Sequence, residues 1–311
     1  MLFNYEPLFL ALNKKNIKLT EMGKDLNISS ATLAKFAKGQ SVSLSLLKQI
    51  SIYLNISLDD IVKFESINKT SELYERLTVE KNHKIPNGIY HETQIMLTYN
   101  SNHIEGSKLS FDQTRYIFET NTIGADQDSS VNVDDVIETK NHFKCIDYMI
   151  EHATEPLNEE MIKHIHQILK TNTEDEKISW FKVGEYKMKP NTVGGIETTK
   201  PEYVHREIAK LITEYESKTN IVIDDIIEFH YRFECIHPFQ DGNGRVGRLI
   251  AFKECLRHGL VPFTIDDQIK MFYYRGLSKW KEEKGFLIDT CLRGQDEYKK
   301  LLKKFDIKYA E

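Results

Sequence analysis

Two glycines around an asparagine, followed by two arginines on one turn, constrain this chain more than anything else in it. The run is His237-Pro238-Phe239-Gln240-Asp241-Gly242-Asn243-Gly244-Arg245, with Arg248 three residues on. The glycines allow backbone torsions that other residues resist, so the N–H groups of Gly242, Asn243 and Gly244 can converge into a concave nest for phosphate oxygens. Arg245-Val246-Gly247-Arg248-Leu249-Ile250-Ala251-Phe252 has no proline and reads as a helix start, whose N-terminus aims positive potential at the same anion. Arg245 and Arg248 share a helical face. A pair of guanidinium forks there suits successive phosphates of a nucleotide, so the predicted ligand is a polyphosphate.

Bound polyphosphate usually brings a hard divalent cation that prefers oxygen ligands, and Asp241 is the carboxylate placed to hold it, with Mg2+ the expected ion. His237 can take a proton near neutral pH, as a hydroxyl attacking phosphorus requires. Taken singly, each residue has a plainer explanation: a packed histidine, a tight Asp-Gly-Asn-Gly turn, two solvated arginines. Their combination at this spacing favours phosphoryl chemistry.

His237 through Arg248 resembles the Fic-family motif His-Pro-Phe-x-(Asp/Glu)-Gly-Asn-Gly-Arg-x-x-Arg at every fixed position. The resemblance implies a protein adenylyltransferase that moves AMP from ATP to a Ser, Thr or Tyr hydroxyl of a target protein. It further implies His237 as general base, Asp241 as magnesium ligand, and Asn243 with the Gly242 and Gly244 amides as anion hole. Arg245 would take the β-phosphate and Arg248 the γ-phosphate, and Phe239 would be an apolar anchor beneath the loop. Doc-type relatives that transfer the γ-phosphate usually carry lysine where Gly244 stands, so Gly244 favours nucleotidyl transfer.

Upstream, Ser101-Asn102-His103-Ile104-Glu105-Gly106 resembles the family's inhibitory Ser-x-x-x-Glu-Gly motif. Ser101 and Glu105 stand four apart on one helical face, and Gly106 suits a C-terminal cap. A Glu105–Arg248 pair would withhold the guanidinium from the γ-phosphate and slow the enzyme. In some relatives the same glutamate helps hydrolyse the AMP–protein bond, so de-adenylylation stands beside transfer.

Val183 to Ile196, with Gly184, Pro190, Gly194 and Gly195, reads as a hairpin. In the family this position holds the flap over the active site, which implies target docking along Lys187, Asn191, Thr192, Val193, Gly194 and Gly195 by strand addition. An ordinary surface hairpin fits the same residues. Relatives often have arginine where Lys187 stands.

The N-terminus follows another pattern. Leu8 to Leu12 opens a helix, Thr20 begins a second, Ser29 caps a third that Gly39 closes after Lys38, and Leu44, Leu47, Ile50 and Leu54 recur at helical spacing before a last turn from Ser57 to Val62. This five-helix pattern resembles the Cro/C1-type helix-turn-helix family over residues 1–66. The resemblance places Ser30, Ala31 and Lys35 where base edges are contacted. Ser30 is short and Ala31 apolar, so direct readout is poor. Lys14, Lys15, Lys18, Lys24, Lys35, Lys38 and Lys48 outnumber Glu6, Glu21 and Asp25 over the first fifty residues, which favours weak DNA binding by charge. A small helical module for protein contacts or homodimerisation fits almost as well.

The predicted fold is therefore mostly α: an all-helical Fic core with a small β-hairpin flap behind a five-helix helix-turn-helix domain. The expected layout is 1–66 helix-turn-helix, 67–89 a partly helical linker, 90–260 Fic domain with the inhibitory helix, and 261–311 a C-terminal helical extension. Tyr273, Tyr274 and Trp280 in that extension, and His103, His166 and His230 earlier, read as packing residues. Cys145, Cys235, Cys255 and Cys291 match no zinc or disulfide pattern and read as reduced thiols. With 40% hydrophobic residues, a formal charge of −5, no run approaching the roughly twenty apolar residues of a membrane span and no basic secretory start, a cytoplasmic protein is expected. The rival from a different class is a DNA-binding regulator or antitoxin-like protein with a Fic sensor.

Overall fold

The computed structural model describes residues 2–15, 17–37, 40–58, 60–65, 71–124, 130–193 and 195–309. The chain divides into two compact units, 1–69 and 70–311.

In the first unit, strand β1 (Leu2–Asn4) precedes helices α1 (Glu6–Lys14), α2 (Leu19–Asp25), α3 (Ser30–Ala37) and α4 (Leu44–Leu54), and β2 (Lys63–Glu65) returns antiparallel to β1 with Phe3 opposite Phe64. Leu8, Leu12, Met22, Phe36, Ile50 and Leu54 are buried together, one apolar stripe from each helix. The caps follow the sequence: Ser29 Oγ accepts from the Thr32 amide at 3.2 Å, and Ser43 Oγ from Leu46 at 3.3 Å. α2 approaches α3 so closely that a Cβ on Gly23 would lie 2.5 Å from Leu33 Cδ1. After Ser57 the fifth element is one turn, with the Ile61 and Val62 amides both on the Leu58 carbonyl at 3.0 Å. The β1–β2 ribbon went unread because three-residue strands show no alternation. Lys38 and Gly39 lie outside the described residues.

The second unit runs α5 (Glu72–His83), α6 (Ile89–Ile104), α7 (Phe111–Thr120), α8 (Val133–Glu151), α9 (Glu159–Lys170), the hairpin β3 (Thr192–Val193) and β4 (Ile196–Glu197), α10 (Pro201–Glu216), α11 (Ile223–Ile236), α12 (Asn243–Arg257), α13 (Lys270–Lys279) and α14 (Gly285–Lys304). α9 shows why such segments become helices: Asn158 Oδ1 caps the Met161 amide at 2.8 Å, Glu159 and Glu160 sit in the first turn, and Met161, Ile162, Ile165 and Leu169 form the buried face. α12 is buried almost all round and is the central helix. Its interior charge is paired, Lys253 to Glu254 at 2.7 Å, and Tyr215 also donates to Glu254 at 3.0 Å.

One hydrophobic core holds Leu73 and Leu77 of α5, Ile146 and Met149 of α8, Ile250 of α12 and Leu287, Tyr298 and Leu302 of α14. The helix within the expected 67–89 linker and the helices of the expected 261–311 extension all place side chains in this core. Neither segment carries a compositional break. Among the described residues no helix is long and apolar enough to cross a membrane. Cys145, Cys255 and Cys291 are buried, Cys235 is exposed, and all four thiols are free.

α14 crosses the strand-like segment before α13 with no room for a side chain, since a Cβ on Gly294 would lie 2.3 Å from the Thr264 carbonyl oxygen. Backbone cannot swing aside as a side chain does. Gly294→Ala is expected to destabilise the second unit by about 1–3 kcal/mol, read as a lowered denaturant midpoint at unchanged slope.

Candidate active site

Three helix ends converge in the second unit. α6 ends at Ile104, with Glu105 at its C-cap and Gly106 beyond at φ 106°, the glycine stop expected from the sequence. α11 ends at Ile236, and His237 follows in the left-handed region at φ 51° and ψ 62°. α12 starts from Gly242, also left-handed at φ 78°, with no side-chain cap. The first-turn amides of a helix so begun are available to an anion.

The resident anion is Glu105. Its Oε1 accepts from Arg248 Nη2 at 2.7 Å, while Arg248 Nε donates to Ser101 Oγ and Nη2 to the Ser101 carbonyl, both at 3.0 Å. The Arg248 side chain is only 9% exposed. Although burial alone would lower its pKa, Glu105 holds this guanidinium well above the ordinary arginine value. The same carboxylate lies against the first turn of α12: a Cβ on Gly244 would meet Glu105 Oε1 at 2.2 Å. Gly244 is therefore what admits the Glu105–Arg248 pair.

The loop is held from beneath. Phe239 is fully buried and stacks on His166 at 4.0 Å with rings 1° from parallel. His166 Nδ1 accepts from the Gly184 amide at 2.9 Å, so its Nε2 carries the hydrogen that reaches the Asp241 carbonyl at 3.2 Å. Burial pushes this ring down to about 3, which keeps it neutral and its tautomer fixed. Asn243 Oδ1 accepts from the Phe239 amide at 2.7 Å and its Nδ2 donates to the Phe239 carbonyl at 2.9 Å, so the side chain staples the loop.

Arg245 and Asp241 belong to a buried charge cluster. Arg245 pairs with Glu138 through Nη1 and donates from Nη2 to Asp241 Oδ2 at 3.2 Å. Lys170 Nζ lies 2.5 Å from Glu138, 2.5 Å from Asp175 and 2.7 Å from Asp241. Burial would raise the Asp241 pKa, but Arg245 and Lys170 hold it well below the carboxylate range. Glu138, Asp175 and Asp241 each offer an oxygen within 4.8 Å of the others, a spacing a cation would accept, and the Lys170 ammonium stands at that focus. Asp241 nevertheless remains 51% exposed on its outer side, which suits a hydrated Mg2+ sharing one carboxylate with phosphate oxygens.

His237 Nδ1 faces the Glu234 carbonyl at 3.3 Å and so carries the hydrogen, leaving Nε2 as the acceptor. Burial first, and then the Lys187 ammonium, hold the ring at about 4. Glu234 is itself buried, and burial pushes its carboxyl up to about 8 against the pull of Arg248.

The flap residues split into two groups. Thr192, Val193 and Gly195 are exposed, with Thr192 opposite Glu197 and Val193 opposite Ile196, while Gly194 lies outside the described residues. Lys187 and Asn191 point inward instead. Asn191 Nδ2 donates to the Phe239 carbonyl at 2.9 Å, and Lys187 is buried, so neither presents itself to a target as the hairpin reading expected. Ser30, Ala31 and Lys35 of the first unit are exposed. Tyr273 and Trp280 are core residues, and Tyr274 donates to the Ile104 carbonyl at 2.9 Å, steadying the end of α6.

Glu138, His166, Lys170 and Glu234 were missed or passed over as packing residues. Glu138 and Lys170 lie far from the loop in sequence, and periodicity shows only that they sit on helices. Glu234 alone had a signal, lying three residues before His237 in the last turn of α11.

The sequence model of the Fic/DOC family matches residues 156–254, and that of the Cro/C1-type HTH DNA-binding domain matches residues 11–66. The protein adenylyltransferase fic-1 of Caenorhabditis elegans is 25% identical over 194 residues, covering 60% of this chain and 36% of the relative. A probable protein adenylyltransferase of Aquifex aeolicus is 33% identical over 97 residues, 30% of each chain. The chain thus spans about a third of the length of these curated relatives. Among solved structures, a Fic domain containing signaling protein from Bacteroides thetaiotaomicron aligns with a TM-score of 0.60 at 24% identity, covering 76% of this chain and 99% of that one. The second unit has the Fic fold.

His166→Phe keeps the stack on Phe239 and loses both hydrogen bonds. It is expected to cost about 1–3 kcal/mol and to speed hydrogen exchange at the Gly184 amide well beyond that of the α14 amides.

Proposed function

We infer that this chain, whose residues 156–254 belong to the Fic/DOC family behind a Cro/C1-type helix-turn-helix, is a protein adenylyltransferase held at rest by its own Glu105. The observation that carries this is the 2.7 Å pair between Glu105 and Arg248 on the first turn of α12. One carboxylate there holds the arginine and lies in the space beside Gly244 that a triphosphate would need.

In the reaction, ATP lies along the loop with its phosphates on the α12 amides. The hydroxyl oxygen of a Ser, Thr or Tyr side chain on a target protein attacks the α-phosphorus, and its proton passes to His237 Nε2. The bond to the bridging oxygen breaks, and pyrophosphate leaves. His237 is suited to this because burial keeps it unprotonated at neutral pH and its Nδ1 contact with the Glu234 carbonyl orients the free lone pair. Gly242, Asn243 and Gly244 amides take the charge that grows on the phosphate oxygens. Arg248 takes the γ-phosphate once Glu105 withdraws, and Arg245 reaches the β-phosphate by easing its hold on Glu138. A bound Mg2+ would supply neutralising charge for the leaving pyrophosphate, with Asp241 as its protein ligand. The exposed edge at Thr192, Val193 and Gly195 offers backbone to an extended target segment.

The relatives named protein adenylyltransferase support nucleotidyl over γ-phosphoryl transfer, as does the space at Gly244. The first unit supports a second role. Lys14, Lys15, Lys18, Lys24, Lys35 and Lys48 are all exposed on a helix-turn-helix, a charge distribution that favours duplex DNA as partner.

Glu105→Gly is expected to raise AMP labelling from α-labelled ATP by ten-fold or more over wild type; equal rates would remove the inhibition. Adding His237→Ala should abolish labelling with an unchanged Tm, and adding Arg248→Ala should weaken ATP binding by calorimetry. For DNA, anisotropy titrations at several salt concentrations should give affinity that falls steeply with salt, and Lys35→Ala should flatten the slope by about one.

A further inference from the structure

His237 occupies a backbone conformation that costs a residue with a Cβ roughly 1–2 kcal/mol, so the surrounding bonds must hold it there. The carbonyls of the residues before and after it both end on one residue. The Lys187 amide donates to the Pro238 carbonyl at 2.8 Å, and Lys187 Nζ donates to the Ile236 carbonyl at 3.2 Å.

The ammonium of Lys187 is unlike the other buried lysines of this unit. Lys170 has three carboxylates and Lys253 has Glu254. Lys187 is 4% exposed, and the remaining acceptors on its Nζ are Asn191 Oδ1 at 2.7 Å and Thr198 Oγ1 at 2.6 Å, both neutral. A buried cation that serves only packing costs stability and is normally paired or replaced. Its charge is therefore directed at a neighbour, and the neighbour is the imidazole between the two carbonyls.

We propose that Lys187 is a positioning residue for His237: it clamps the carbonyls of the residues before and after that histidine and keeps an uncompensated positive charge beside the ring, so that the imidazole meets a target hydroxyl as a neutral acceptor. This rests on reading His237 as the base. The other titratable groups facing the ring are Glu105 from the end of α6, Asp241 from the loop and Glu234 from the last turn of α11. Glu105 and Asp241 draw a proton onto the imidazole; burial and then Lys187 outweigh them. Burial brings Lys187 itself down to about 8, so its charge is present through the neutral and acidic range in which a histidine would otherwise protonate. Removing that charge raises the histidine pKa, and the loss of neutral base then begins at a higher pH as the solution is acidified.

The test uses the full chain carrying Glu105→Gly, with Lys187→Met and Lys187→Arg compared. The ring proton of His237, assigned by its absence in His237→Gln, is titrated by NMR, and AMP transfer is followed over the same pH range. Lys187→Met should move the titration midpoint and the acid limb of transfer up together by about one unit, and Lys187→Arg should leave both near the parent. A midpoint unmoved in Lys187→Met, or moved equally in Lys187→Arg, overturns the proposal. Lys187→Gln supplies the neutral comparison should the methionine variant lose its fold. An inactive parent would count against adenylyl transfer, whereas the titration reads the effect of Lys187 without turnover.

Discussion

A buried guanidinium must have an anion beside it, and Arg248 is that guanidinium. Its side chain is 9% exposed, and breaking such a pair by deleting one partner typically costs about 3–5 kcal/mol. Glu105 satisfies the requirement from the end of α6, with Ser101 providing two oxygen acceptors. Under the proposed function a nucleotide phosphate would satisfy it in turn. Exchange of one anion for another would conserve most of the electrostatic energy, so a modest difference in affinity would suffice to shift the site from one anion to the other.

The rest of the site exists to keep α12 where that exchange can occur. Phe239 and His166 fix the loop from below by a ring stack, Asn243 closes the loop on its own backbone, and the Lys170 ammonium balances three carboxylates behind Arg245 and Asp241. A left-handed His237 and a left-handed Gly242 bracket the turn, and both depend on these supports. Lys187 joins the flap base to the same turn. Under the proposed function the flap edge would meet a target while its base stays tied to the loop.

Gly244 illustrates how one position serves two ends. Without a Cβ it leaves the helix N-terminus open to an anion, and it gives the Glu105 carboxylate room to lie there. Under the proposed function, chemistry and restraint would share the space beside Gly244. Any side chain at 244 would change both together.

The local features were readable from sequence because each rests on short-range physics: the glycines of the loop, the stop at Gly106, the Ser29 cap, the Ser101–Glu105 spacing and the helix that opens after the loop. Family resemblance added the pairing of Glu105 with Arg248, which no spacing contains. What only the tertiary structure decided was partnership across distance. Glu138 and Lys170 joined Asp241, His166 met Phe239, and α5 and α14 entered the core. It also turned Lys187 and Asn191 inward, because in a two-residue-strand hairpin the alternation is too short to say which face is covered. A sequence specifies torsions and apolar periodicity; which buried charge faces which is set by packing, where desolvation makes every unpaired choice expensive.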